Sequence, residues 1–278
     1  MDAHLEKLKE VQKDAWNKSS GGWKKWGDML MTLNPMSVEI INLLRLRDDD
    51  IVMDVATGAG EPALTIASMV KRGKVVGTDL AQSMLDVAAE QAVKRSIYNF
   101  ETVCCDVSSL PFEDGTFTSV SCRLGFHLFP DMQIALTEMM RVLKPGGRIA
   151  ASVWGLPEKN PWISFNMETM INLLQLNPPA PGAPGAFRCG QPGLMTDLFS
   201  QSGLKNIIEK EVKGQLTCDT LETYWSFITE AGSPVAYAKA GEALQLQIKK
   251  EVLGKVSQVC SDKDISLDSS AIVIYGEK

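Results

Sequence analysis

The chain has 278 residues, 45% of them hydrophobic, enough for one large core or a core with added pieces. Its formal net charge is -6 and it carries no strongly basic tract, so a nucleic-acid partner is not expected; pairs such as Lys24-Lys25 and Lys249-Lys250 read as solvated surface. The start, Asp2-Ala3-His4-Leu5-Glu6-Lys7, is charged and no apolar run reaches about 18 residues, so neither a secretory leader nor a transmembrane segment is expected. Six scattered cysteines without a Cys-x-x-Cys pair, and only two histidines, leave no expected metal site and suit a reducing cytoplasm.

Residues 2–18 place Leu5, Leu8, Val11, Ala15 and Trp16 on a helical period, which predicts a packing helix interrupted by Gly21-Gly22. Trp23 and Trp26 follow on one helical face, as an aromatic anchor or as part of a lid. Asn34-Pro35 breaks that pattern, and Met36–Leu46 reads as a helix leading into the turn Arg47-Asp48-Asp49-Asp50. An alternation of strand and helix comes next: strands at 51–55, 74–79, 100–105, 117–122 and 148–154, with helices at 61–71, 83–94 and from Asp131, as cap, to about 143. This argues an α/β fold with a mostly parallel sheet and helices on both faces.

Composition changes at residue 155. Prolines and glycines crowd 155–190 around a predicted helix at 162–176, too long a stretch for an ordinary connection; it reads as a lid insertion, with a plain surface excursion as the alternative. A helix at 191–202 and a strand at 205–216 follow. Residues 221–259 read as helical with breaks at Gly232, Pro234, Gly241 and Gly254, and 271–276 as a last strand. Four segments result: 1–46 as an N-terminal helical lid, 47–154 as the core, 155–190 as the insertion, and 191–278 completing the sheet with a helical excursion at about 221–260.

Four stretches carry the chemistry. Asp54-Val55-Ala56-Thr57-Gly58-Ala59-Gly60 passes from a buried strand into a glycine turn, with Glu61-Pro62 opening a helix; the spacing is shorter than Gly-x-Gly-x-x-Gly. Val76–Leu85 ends a strand in Asp79, Cys105–Phe112 begins with an acid after a strand, and Arg141–Gly147 reads Arg-Val-Leu-Lys-Pro-Gly-Gly. No Gly-x-Ser-x-Gly elbow, phosphate loop or His-Glu-x-x-His is present.

Together these stretches resemble the class I S-adenosylmethionine-dependent methyltransferases, especially their ubiquinone and menaquinone C-methyltransferase-like branch, over about residues 45–155. The resemblance implies a seven-stranded, mostly parallel Rossmann-like sheet with S-adenosylmethionine at the strand ends. It implies that Asp79 takes the ribose hydroxyls, that Leu80 and Met84 pack near the adenine, and that Asp106 and Val107 receive it. It further implies that Thr57, Gly58 and Gly60 let the backbone approach the methionine part, that Asp54 orders this loop and reaches the cofactor's amino end, and that Ser121 and Cys122 contact the methionine moiety. His127 and Arg123 follow the fourth strand, on the side of the transferred methyl, and are the candidate catalytic residues: His127 as base or substrate contact, Arg123 as holder of an anionic oxygen or brace of the loop. The expected reaction is methyl transfer to carbon or oxygen of a small lipophilic or aromatic acceptor, in a cytoplasmic enzyme for which a homodimer is one expectation. N-methylation of a small molecule, peptide or protein, and a binding protein without catalysis, are the alternatives.

Overall fold

A computed structural model of the chain describes residues 3–177, 180, 182–232, 237–238 and 240–278. The expected helix break at Pro234, and Pro178, Pro179 and Pro181 of the Pro/Gly-rich stretch, lie outside the described residues.

The chain opens with three helices, α1 (Ala3–Lys25), α2 (Gly27–Met31) and α3 (Pro35–Leu44). The alternating core contains β1 (Ile51–Val55), α4 (Ala63–Met69), β2 (Lys74–Asp79), α5 (Gln82–Lys94), β3 (Phe100–Cys104), β4 (Phe117–Arg123), α6 (Met132–Val142) and β5 (Leu143–Trp154). After it come α7 (Pro161–Leu173), α8 (Leu194–Gln201), β6 (Lys205–Thr220), α9 (Leu221–Phe227), a π-helical turn at Ile228–Gly232, α10 (Glu242–Ser257) and β7 (Lys263–Glu277).

The strands form one seven-stranded sheet in the order β3-β2-β1-β4-β5-β7-β6. The first five run parallel, and β7 and β6 are added antiparallel. Interior strands such as Ile51-Val52-Met53-Asp54-Val55 are apolar along nearly their whole length because helices cover both faces. One layer joins Ile40 and Leu44 of α3, Ile66 of α4, Trp162 of α7 and Tyr224 of α9, with Val252 of α10. The other joins Leu136 and Met139 of α6 to Met195 and Phe199 of α8. Asp131 caps α6 by accepting the Ile134 N–H at 2.9 Å. The start of α7 is tied to the sheet by Asn160: its carboxamide donates to Ser270 O (3.0 Å) and accepts from Ser270 N (2.9 Å).

Three local expectations are corrected. α1 runs through Gly21-Gly22 to Lys25; a Cβ on Gly22 would lie 2.2 Å from Glu230 O, so this glycine lets the helix seat against the π turn. The α1 stripe of Leu5, Leu8, Val11, Ala15 and Trp16 is not a core face: none of the five is fully buried, and Val11 is 60% exposed. Gly254 breaks nothing, since α10 continues through it to Ser257. The strands β6 and β7 are also longer than the apolar runs that signal them, because they pair with each other over most of their length.

Candidate functional site

In this strand order the connections leave β1 in one direction towards β2 and β3, and reach β4 on the other side. Such a reversal opens a crevice at the carboxyl ends of the strands. A cavity of about 500 Å³ lies there. It is lined by Val55 at the end of β1 and Ala56 after it, Asp79 at the end of β2, Asp106 after β3, Arg123 at the end of β4 and Trp154 at the end of β5.

The floor is the loop after β1. Ala56 (φ 55), Gly58 (φ 53) and Gly60 (φ 109) take left-handed conformations, and Leu124 (φ 62) does so after β4. Two non-glycine residues held this way, both on the cavity wall, mark backbone strain kept at one site. Gly58 faces open space, whereas a Cβ on Gly60 would press on Leu64 Cδ1 at 2.8 Å. Gly58 and Thr57 therefore line the cavity, while Gly60 seats the loop on α4. Asp79 fixes the loop from the side: Oδ2 accepts the Gly58 N–H (3.0 Å) and Oδ1 the Ala81 N–H (2.9 Å). Burial raises its carboxyl above the usual value and these backbone hydrogen bonds oppose the shift.

Asp54 lies behind this loop. The parallel register sets it beside Ser121, whose hydroxyl donates to Asp54 Oδ1 at 2.5 Å, and Oδ2 has no well-formed hydrogen bond. Burial pushes its carboxyl up to about 7, against the Ser121 hydrogen bond and a weaker effect of the Thr57 hydroxyl. Neither Asp54 nor Ser121 lines the cavity, and their hydrogen bond joins β4 to β1 behind the loop. Cys122 does not line the cavity either: it is fully buried in the core, with its Sγ 2.6 Å from where a Cβ on Gly125 would lie.

Arg123 and His127 both line the cavity. Arg123 Nε is enclosed without a hydrogen-bond partner. Burial works to lower its pKa, while the nearby charges of Glu61 and Asp54 oppose this. His127 is only 3% exposed and its Nδ1 has no partner. Burial, with the Arg188 charge adding to it, pushes its pKa down to about 3. Both effects hold the ring in its neutral form.

Leu80, Met84 and Val107 line the cavity as expected. Asp106 does too, but its oxygens are engaged. Oδ1 accepts the Ser108 N–H (2.8 Å), and Oδ2 meets Lys9 Nζ of α1 at 2.6 Å. Burial alone would raise the Asp106 carboxyl; the Lys9 and Ser108 hydrogen bonds outweigh it and hold the group below its usual value. Lys9 is a site residue that sequence reading missed, because a lysine between apolar helix positions looks like solvated surface.

α1 crosses the cavity and is fastened along its length. Gln12 Nε2 donates to Leu128 O (2.7 Å), and Asn17 Oδ1 accepts the Ser83 N–H (3.1 Å) at the start of α5, where no local side chain caps the helix. Lys24 pairs with Glu90, while Lys25 and the Trp26 indole both donate to Glu230. The far wall is apolar: Trp154, Trp162 and Phe227 meet ring to ring, with Ile163 and Met167 of the Pro/Gly-rich insertion and Ile228 of the π turn beside them. The insertion is tied to the loop after β4 by Gly185 N–H to His127 O (3.0 Å).

Residues 52–147 match a family described as methyltransferase domain. The chain is 38% identical over 108 residues to demethylmenaquinone methyltransferase of Thermus thermophilus, a match covering 39% of this chain and 49% of that protein. It spans about half the length of the curated relatives it matches. Among solved structures, YcgJ protein from Bacillus subtilis superposes with a TM-score of 0.59 at 21% identity, over 88% of this chain and 98% of that one. Phosphoethanolamine N-methyltransferase 2 of Haemonchus contortus, solved with S-adenosyl-L-methionine, gives 0.55 at 18% identity, over 91% and 52%. At these identities the structural likeness speaks for the fold. Residues 52–147 thus match a methyltransferase domain, and the open seven-stranded sheet that holds them has the fold of the solved methyltransferases.

Proposed function

We propose that the protein transfers a methyl group from S-adenosylmethionine to carbon or oxygen of a small lipophilic or aromatic acceptor. One observation carries the reading: a single cavity joins the polar ends of β1 to β4 to an apolar wall of Trp154, Trp162 and Phe227. The Thermus relative, named demethylmenaquinone methyltransferase, supports such an acceptor.

The residues present fit the cofactor. Gly58 leaves open space over the loop, Asp79 presents a carboxylate already aimed by two backbone N–H groups, and Arg123 offers an unpartnered donor. Asp79 would hold the ribose hydroxyls, with Leu80, Met84 and Val107 against the adenine. Asp106 is shared with Lys9, so reading the adenine amino group draws on a carboxylate that α1 also holds. When bound, the cofactor supplies a methyl made electrophilic by its sulfonium.

The protein's own part is placement. The aromatic wall orients an apolar acceptor and keeps water out, and near-attack alignment accounts for much of the acceleration in such a transfer. His127, held neutral, serves as a hydrogen-bonding contact rather than a proton acceptor. The acceptor therefore meets the site already nucleophilic. α1 and the 155–190 insertion act as lids over the two ends.

Calorimetric titration with S-adenosylhomocysteine tests this. The expected result is saturable binding that weakens about tenfold or more in Asp79→Ala, as for loss of hydrogen bonds to a charged group. Methyl transfer from labelled cofactor to a panel of apolar phenols and hydroquinones is then expected. No binding of the homocysteine product by the wild-type protein would overturn the reading.

A further inference from the structure

The Pro/Gly-rich insertion brings a cation up to the cavity wall. The Gly185 N–H donates to His127 O (3.0 Å), and the Arg188 N–H donates to Gly185 O (3.1 Å). Arg188 Nη1 donates to Phe129 O, two residues past His127. The segment is thus clamped to the loop after β4 at both His127 and Phe129. Arg188 is half-buried, its Nε is enclosed without a hydrogen-bond partner, and it has no ion pair among the described residues. His127 lines the cavity and Arg188 does not, so the ring forms the wall and the guanidinium lies behind it. The charge that acts on the His127 ring is that of Arg188, and no carboxylate acts on it.

The other charges around the cavity are offset or held elsewhere. On the α1 side, Lys9 is taken up by Asp106 and Glu6, Lys24 by Glu90 and Lys25 by Glu230. On the glycine-loop side, Arg95 pairs with Glu61, Arg123 lies in the field of Glu61 and Asp54, and Asp79 is held by backbone N–H groups. Asp28 lines the cavity from α2, and Asp131 caps α6. Burial pushes the neighbouring Cys189 thiol up to about 11, so it is uncharged. The end of the cavity at His127 therefore carries a positive potential beside an apolar wall, and such a potential favours the anionic form of an ionisable guest.

We propose that Arg188 sets the ionisation of the methyl acceptor: the acceptor carries a hydroxyl on an aromatic or enolic ring, seated at His127, and is held there as its anion. This rests on the methyltransferase reading of the cavity and deepens it, naming the class of acceptor and the source of its nucleophilicity. The apolar wall alone would keep such a hydroxyl protonated, and the guanidinium charge acting through the His127 ring outweighs it. The neutral ring donates an N–H to the oxygen. The hydroxyl proton passes to solvent as the acceptor enters. The oxygen, or the ring carbon beside it, then forms the bond to the methyl, and the methyl–sulfur bond breaks with its electron pair left on sulfur. Where carbon is methylated, the proton on that carbon leaves to solvent afterwards.

Para-nitrophenol reads this directly, because its phenolate is yellow and its phenol nearly colourless. The probe is titrated by absorbance in the complex of the protein with S-adenosylhomocysteine, whose sulfur is uncharged, so no sulfonium contributes. In the wild-type protein the pKa of the bound probe should fall below its value in water by about one unit, the size expected of a nearby opposite charge. In Arg188→Gln the shift should vanish or reverse, and Arg188→Lys should keep most of it, since it keeps the charge without the planar fork. Affinity for S-adenosylhomocysteine should stay within about twofold in both variants, as for a residue away from the cofactor. An unshifted or raised pKa in the wild-type protein would overturn the proposal, as would a full shift surviving in Arg188→Gln. Equal loss of the shift in Arg188→Gln and Arg188→Lys would make Arg188 a brace of the loop and overturn it too. So would a complex with S-adenosylhomocysteine that does not bind the probe. If S-adenosylhomocysteine itself does not bind the wild-type protein, the methyltransferase reading fails and this proposal with it.

Discussion

Two buried titratable side chains flank the loops of the site and pull in opposite directions. The Asp54 carboxyl is raised from 3.8 to about 7, so the folded state keeps a proton that the unfolded chain releases. Its contribution to stability is full at low pH and is lost as pH rises through that window. The His127 imidazole is lowered from 6.5 to about 3, so its contribution is full above 6.5 and is lost as pH falls. Between 3.8 and 6.5 the two offset each other. Each single substitution should expose the other: Asp54→Asn makes the protein less stable on acidification, and His127→Gln makes it more stable, relative to wild type. Urea midpoints at about pH 5 and about pH 8 read the two slopes, and parallel slopes in both variants would contradict the assignment. Asp54 was recognisable in the sequence as the acid of a strand-turn-helix motif. Its withdrawal behind the loop was not, because that depends on Ser121 arriving 67 positions later in the neighbouring strand.

Elements differ in how far they can be read from the chain, and the reason is what stabilises each. The interior strands β1 and β2 carry their own signal, a short apolar run closed by a turn, and their observed limits match the expected ones. Helix α1 does not, since its apolar stripe is not what holds it. Its length and placement come from distant partners: Asp106, Leu128, Ser83, Glu90 and Glu230. Gly22 is the clearest case, a local helix breaker that is needed for contact with the Glu230 backbone. Gly22→Ala should raise the intrinsic helix propensity of α1 by about 1 kcal/mol. Docking should nonetheless weaken by about 1–3 kcal/mol from overpacking against backbone that cannot give way. Hydrogen exchange is expected to speed up along α1 and the π turn while β1, β4 and β5 stay protected. Slower exchange in α1 would show that the helix is not seated there.

At the scale of the molecule, the carboxyl end of the sheet rests on apolar cores, while the helix above it, which we propose as a lid, is held mainly by polar contacts. The cavity walls from β1 to β5, α7 and α9 belong to the two buried cores. By contrast, no described hydrophobic side chain of α1 is among the fully buried residues. The helix is held by partly exposed ion pairs: Lys9–Asp106, Lys24–Glu90 and Lys25–Glu230, with Lys24 and Lys25 about half exposed. Such pairs are worth little singly, and dissolved ions screen them over about 8–10 Å at ordinary ionic strength, while apolar burial is untouched by screening. Added sodium chloride should therefore separate two properties that usually move together. The rate at which S-adenosylhomocysteine is admitted, followed by stopped-flow tryptophan fluorescence, is expected to rise with salt as the helix loosens. The thermal midpoint of the fold should barely shift. With an ionic fastening over oily walls, access to the cavity is expected to follow the electrolyte around the protein, independently of how well it is folded.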